Sequence, residues 1–180
     1  MAMAISVPLY TVDDLEKFPD DGNRYELLDG VLLVTPQAAA VHQVVASRIQ
    51  GRLIVSLQDP GLAHVVGPGA VVRRPRTQLQ PDILVFPARF SPMTDWRKIT
   101  QHWLAVEVLS RSSRIYDREF KRDAYFALGL QQVWLVDWRD EFVEVCTAKG
   151  KSHVVRDTIR WRIAGVQVVI DLHEVFAGLL

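Results

Sequence analysis

LAVEVLSRSSRIYDREFK, from Leu104 to Lys121, joins a strand to a helix and places a carboxylate, Glu107, inside the strand. The residues around it, His102 to Leu109, are apolar almost throughout, as in a central strand covered on both faces. Ile115 to Leu128 reads as a helix, with Ser113 as its cap and Gly129 at its C-terminal end. Val133 to Val136 then reads as another strand. Strand, helix, strand is the signature of an α/β fold. An ionised acid in an apolar strand is costly unless it is paired or binds a cation. Glu107 is therefore either half of a buried ion pair with an arginine or a rigid metal ligand.

Upstream the same alternation holds. Thr11 caps a short helix, Val12 to Lys17, which Pro19 and Asp20-Asp21-Gly22 end. RYELLDGVLLV predicts a hairpin, Tyr25–Leu28 and Val31–Thr35, turning at Asp29-Gly30. Ala38 to Leu57 is the longest helical pattern, with Val41, Val45, Ile49, Leu53 and Leu57 as its stripe and Val44 and Ile54 widening it. Pro60-Gly61 stops it. Ala63–Val66 and Ala70–Arg74 read as strands joined by Gly67-Pro68-Gly69, and Pro81-Asp82 opens a further strand, Ile83 to Phe86. Downstream, Phe142–Cys146 is a strand, and His153 to Leu180 alternates before a short last helix near Leu172–Ala177. The expected fold is α/β, a central mixed sheet flanked by helices, in one domain spanning residues 1–180.

The chain has 180 residues, 49% hydrophobic and 23% charged, which describes a globular protein with a sizeable core. Its 21 basic and 21 acidic side chains cancel, so an anionic partner must be met by a local patch. Cys146 is the only cysteine, which excludes an intramolecular disulfide and a cysteine-based zinc site. Met1 to Pro8 lacks the pattern of a secretory signal, and no apolar run is long enough to span a bilayer. The expectation is a cytoplasmic protein without a membrane partner.

Asp82 begins one strand, and Glu107 lies near the C-terminal end of the next long one. If the two strands are neighbours, the carboxylates converge, and two close anions need a cation or a proton between them. Mg²⁺ suits such hard oxygens and keeps waters for a phosphate substrate. Lys121 supplies a positive point charge beside them, four residues after Asp117 on the predicted helix, with Tyr125 continuing that side. Phe120, Ala124, Ala127 and Leu128 form the opposite stripe, expected to pack on the sheet.

YELLDGVLLVTP, the histidine His42 in the long helix, QPDILVF, LAVEVLS and YDREFKRDAYFALGLQQVWLVD follow one another in order. This set resembles the Uma-two-type restriction endonuclease family of the PD-(D/E)XK nuclease superfamily, over roughly Tyr10 to Val145. The superfamily pattern is an acid after a proline, then an acid, one residue and a lysine on a strand. Here Asp82 follows Pro81, Glu107 is the second acid, and Leu109 stands where the lysine is expected. Lys121, on the following helix, matches the place to which the family's lysine looks to have moved. Ser110-Arg111-Ser112 stands where a Ser-Pro-Ser-like segment is usual. The resemblance implies a restriction-endonuclease-like fold and a Mg²⁺-dependent endonuclease acting on DNA, with Mn²⁺ as a possible substitute. It implies Glu26, Asp82, Glu107 and Lys121 as catalytic residues. Asp82, Glu107 and the carbonyl of Val108 would be the metal ligands, and a homodimer would serve two-strand cleavage.

Each residue also has a plainer reading. Asp82 can be a turn residue beside proline, and Lys121 a surface partner of Asp117. Glu26 can be a cross-strand neighbour. His42 lies off the main apolar stripe and matches a family histidine, while His64, His102, His153 and His173 form no ligand spacing. Two basic clusters could hold phosphates: Arg73, Arg74 and Arg76, and Arg111, Arg114, Arg118, Lys121 and Arg122. Trp103 and Trp134 read as core; Trp96 and Trp138 stay undecided. The competing function is a non-catalytic nucleic-acid-binding or protein-interaction module that keeps the nuclease fold. A third is a metal-dependent hydrolase of another phosphate substrate.

Overall fold

The apolar run that holds Glu107 forms a strand, Leu104–Val108, with every residue buried. The computed structural model that shows this describes residues 8–110, 120–148 and 150–179. The expected helix start at Ile115, its Ser113 cap, Asp117, Arg111, Arg114 and Arg118 lie outside the described residues.

In chain order the elements are β1 (Arg24–Leu28), β2 (Val31–Thr35), α1 (Ala40–Leu53), β3 (Ala63–Val66), β4 (Val71–Arg73), β5 (Thr77–Leu79), β6 (Ile83–Pro87) and β7 (Leu104–Val108). Then follow α2 (Arg122–Ala127), β8 (Gln132–Asp137), β9 (Phe142–Thr147), β10 (Ser152–Val155), β11 (Thr158–Ile163), β12 (Val166–Asp171) and α3 (Leu172–Phe176). Six strands make the main sheet in the order β10-β9-β8-β7-β6-β3. The β7–β8 pair is parallel and its other pairings are antiparallel, so the sheet is mixed. A second sheet runs β2-β1-β5-β4, and β11 and β12 form a separate hairpin.

Side chains alternate across β7 with the period of two of any strand. Leu104, Val106 and Val108 join one core with Val45, Ile49 and Leu53 of α1, the β11–β12 hairpin and α3. Ala105 and Leu109 join the other, with Val71 and Leu79 of the second sheet and Tyr125 of α2. Glu107 shares the second face by the same alternation.

Several expectations are corrected in detail. The short helix Val12–Lys17 is a 3₁₀ helix. The long helix begins at Ala40 and turns to π geometry over Ile54–Gln58. Its buried stripe is His42, Val45, Ala46, Ile49 and Leu53, while Val44 is exposed. A helix resting on a sheet buries one band, and this one is turned so that His42 opens it. The segments around Gly67-Pro68-Gly69 do not pair; the chain crosses there from one sheet to the other. The expectation missed β5, because three residues carry too little periodicity to register. Around α2 the expected stripe holds only in part, since Ala124 and Leu128 pack against the core and the inward face also takes in the other side. Phe120 is 51% exposed, whereas Lys121 and Tyr125 are buried. Polar partners in the interior, described next, decide that rotation over the apolar stripe. Among the described residues no helix is long and apolar enough to cross a membrane.

Candidate active site

Arg24 and Glu26 occupy alternate positions on β1, so both side chains leave the same face. Glu26 is fully buried. Its Oε1 accepts the Gln80 N–H at 2.7 Å, and its Oε2 accepts from the Lys121 ammonium at 2.7 Å. Lys121 Nζ also lies 3.6 Å from Glu107 Oε1. That same oxygen accepts the Tyr125 hydroxyl at 2.6 Å. One turn of helix thus delivers a cation and a hydroxyl to two carboxylates on two different sheets.

Asp82 sits just ahead of β6. The β6–β7 ladder runs only from Ile83↔Val106 to Val85↔Leu104, which leaves the Val108 N–H beyond it. Asp82 Oδ2 accepts that N–H at 2.8 Å, in place of a backbone carbonyl. His42 Nε2 lies 3.0 Å from the same oxygen, and Arg24 donates to Oδ1 at 3.0 Å. Arg24 also donates to the Gln80 carbonyl at 3.0 Å, tying both acids to one short segment. Burial pushes the Asp82 carboxyl up, but the His42 hydrogen bond and charge, Arg24 and the Val108 N–H together hold it below the usual carboxylate range. Burial pulls Arg24 down, and the charges of Asp82, Glu107 and Glu26 more than restore it. The carboxylates and cations form one coupled cluster rather than separate pairs.

This cluster floors a cleft of about 160 Å³. Asp82, Glu107, Val108 and Lys121 line it, with Thr35–Ala39 and His42 on one wall and Trp138 and Arg139 on another. Glu26 does not line it and lies behind Lys121. Leu109 is buried in the apolar core and touches the cleft. Among the described residues no group of three His, Cys, Asp or Glu side chains is arranged to hold a metal. Two carboxylates on one water-accessible cleft nevertheless fit the hard, oxygen-only preference of Mg²⁺, which takes few protein ligands. Asp82 and Glu107 are the residues that could hold it.

The structure therefore brings Glu26, Asp82, Glu107 and Lys121 together. Sequence reasoning missed Arg24, whose signal was its i, i+2 relation to Glu26 on one strand. It left His42 unassigned, although a histidine three residues before Val45 extends the buried stripe. It treated Tyr125 as a packing or hydrogen-bonding residue, and the hydrogen bond goes to Glu107. The first basic cluster is occupied by surface acids: Arg73 lies 3.8 Å from Asp29 and Arg74 lies 2.5 Å from Asp13. In the second, Arg122 pairs with Asp123 at 2.8 Å.

A main sheet with one parallel pair, and an acidic cluster at the C-terminal end of a central strand, define a restriction-endonuclease-like fold. The chain belongs to the Uma2 family, described as "Putative restriction endonuclease", whose model matches residues 12–173. Among solved structures it is similar to a crystal structure of a "putative nuclease belonging to DUF820" from Anabaena variabilis. The TM-score is 0.75 at 17% identity, over 94% of this chain and 99% of that one. At that identity the likeness concerns the fold. No curated protein matches the chain.

Proposed function

We propose that the protein is a metal-dependent endonuclease that hydrolyses phosphodiester bonds in DNA. The observation that carries this reading is the meeting of Asp82, Glu107 and Lys121, from three separate elements, on the floor of one cleft. Mg²⁺, or Mn²⁺ in its place, would be held by Asp82, Glu107 and the Val108 carbonyl. A strand residue's N–H and C=O project from the same edge, so that carbonyl shares the edge on which Asp82 accepts the Val108 N–H. The bound cation supplies Lewis-acid neutralisation of charge at the scissile phosphate.

The protein's own groups do the rest. Lys121 presents its ammonium to the attacking water and to the charge that develops on phosphate oxygen. Glu26 accepts from that ammonium and aims it. Arg24, His42 and the Val108 N–H fix the Asp82 carboxylate, and Tyr125 fixes that of Glu107. The products are a 5′-phosphate and a 3′-hydroxyl. Residues 1–180 act as one nuclease domain, in the cytoplasm, as a homodimer.

The test is Mg²⁺- or Mn²⁺-dependent nicking of supercoiled plasmid at low salt, beside a Glu107→Ala protein purified identically. Nicking by the parent and not by the variant supports the reading, and equal nicking by both exposes a contaminant. Calorimetric titration with Mn²⁺ gives a second readout, in which Asp82→Ala should abolish binding. Neither nicking nor Mn²⁺ binding by the parent would turn the reading to a binding module that keeps the fold.

A further inference from the structure

The hairpin tip between β8 and β9 is braced well beyond what a turn needs. β8 ends at Asp137, which pairs with Phe142 across the tip. The buried Asp137 carboxylate accepts the N–H groups of Arg139 and Asp140, both at 3.3 Å. Arg156, from beyond β10, donates to the Asp140 carbonyl at 2.6 Å and stacks its guanidinium 5.2 Å from the Phe142 ring. Glu141 takes a left-handed φ of 48° to close the turn. What this bracing holds still is a stacked pair: the Arg139 guanidinium lies 4.8 Å over the Trp138 ring. Trp138 rests against the core beneath, Arg139 is exposed, and both line the cleft. Because β7 and β8 run parallel, with Val108 beside Val136, the tip rises directly past the strand end that carries Glu107.

The floor of that cleft is deep. Asp82, Glu107 and Lys121 are 8%, 2% and 4% exposed. The cleft above them has a volume of about 160 Å³. A phosphodiester group enters a space of that size. The phosphates of a base-paired duplex lie on a broad convex cylinder, whereas these side chains lie at the bottom of a cleft walled by Thr35–Ala39 and Trp138–Arg139.

We infer that the cleft takes its DNA as a single or locally unpaired strand, with the Trp138–Arg139 tip as the platform for the nucleotide beside the scissile phosphate. The inference rests on the nuclease reading and names its substrate class. The base stacks on the guanidinium already seated on the indole, and the charge of Arg139 faces the flanking phosphate. Stacked aromatic and arginine surfaces of this kind bind unpaired bases without regard to sequence. Trp138 and Arg139 are positioning residues on the wall of the cleft, and the carboxylates that would hold the cation lie on its floor.

The experiment uses the full chain and one labelled oligonucleotide presented as a single strand, as a duplex and as a duplex with a central unpaired bubble. Anisotropy is read with Ca²⁺, and cleavage with Mn²⁺. Single-strand and bubble DNA should bind about tenfold or more tighter than duplex and should be cut first. Trp138→Ala and Arg139→Ala should each weaken single-strand binding by about five- to a hundredfold, while leaving the weak duplex binding nearly unchanged. Arg139→Ala alters an exposed side chain and guards against a folding defect in the tryptophan variant. Cleavage of duplex as fast as of single strand, or a preference unaffected by either substitution, overturns this inference and leaves the nuclease reading standing. A tip-dependent preference for single strands with no cleavage of any substrate does the reverse.

Discussion

Lys121 is buried, 2.7 Å from Glu26 and 3.6 Å from Glu107, both of them interior carboxylates. Removing it leaves Glu26 with one donor, the Gln80 N–H. Breaking a buried pair in this way costs about 3–5 kcal/mol, because a charge stays behind without compensation. Lys121→Met should therefore lower the melting temperature by roughly 6–20 °C for a chain of this size. Adding Glu26→Gln should recover most of the loss. A single variant that melts with the parent would show that the pair contributes little. His102 gives a second test at this scale. Burial depresses its imidazole to about 4, and among the described residues its Nε2 has no hydrogen-bond partner. A histidine kept neutral in the fold but free to protonate when unfolded contributes nothing near pH 7, and its penalty grows as pH falls from the unfolded value towards the folded one. At pH 5 the penalty amounts to about 2 kcal/mol. Denaturant titration at pH 7 and pH 5 should show that loss in the parent and a smaller one in His102→Gln; equal losses would mean another group carries the acid sensitivity.

At the scale of elements, the hydrophobic period located nearly every strand and helix that buries a long apolar run. The Asp29-Gly30 hairpin fell where its turn residues demanded, with φ of 49° and 90°. What stayed illegible was orientation. Nothing in the spacing of Phe120, Ala124, Ala127 and Leu128 says that Lys121 and Tyr125 will face inward. That rotation is set by carboxylates distant in sequence, Glu26 and Glu107. Glycine spacing was equally silent about the crossing between the sheets. A Cβ on Gly67 would stand 2.6 Å from the Asp82 carbonyl oxygen, and one on Gly69 would stand 2.6 Å from the Leu84 Cβ. Neither neighbour is the loose end of a flexible side chain, so the backbone must shift, typically at a cost of about 1–3 kcal/mol. The two substitutions should part company in function. Gly67→Ala pushes on the residue that precedes β6 and should weaken Mn²⁺ binding together with stability. Gly69→Ala pushes on the core and should lower stability with Mn²⁺ affinity kept. Equal Mn²⁺ affinity in both variants would mean that Asp82 is placed by its side-chain partners alone.

On the scale of the whole molecule, the central strand and its acid were readable because β7 is apolar enough to declare itself buried. The second sheet was readable only in part: β1, β2 and β4 were expected as strands, but β5, three residues long, was not, and it is β5 that joins the hairpin to β4. The candidate site lies where these two layers meet: Glu26 and Arg24 come from one sheet, Glu107 from the other, and Asp82 from the link between them. A sequence names such residues one at a time, and only the layering shows that they share a cleft. The same layering leaves a nearly neutral molecule, 21 bases against 21 acids, with much of its surface arginine already paired to acids. On the proposed nuclease reading, and among the described residues, affinity for DNA then comes from the few charges at the cleft rather than from a broad basic face. For two or three phosphates on a single strand, counterion release gives a slope of about −1.4 to −2.1 in log K against log salt. Between 50 and 200 mM salt, affinity should therefore fall by about seven- to twentyfold, where a protein making six to ten phosphate contacts loses about 10³–10⁵. Anisotropy titrations of the full chain across that range measure the slope directly. A fall of a thousandfold would place the DNA along a wide basic surface instead, and the cleft would be only where the strand is cut.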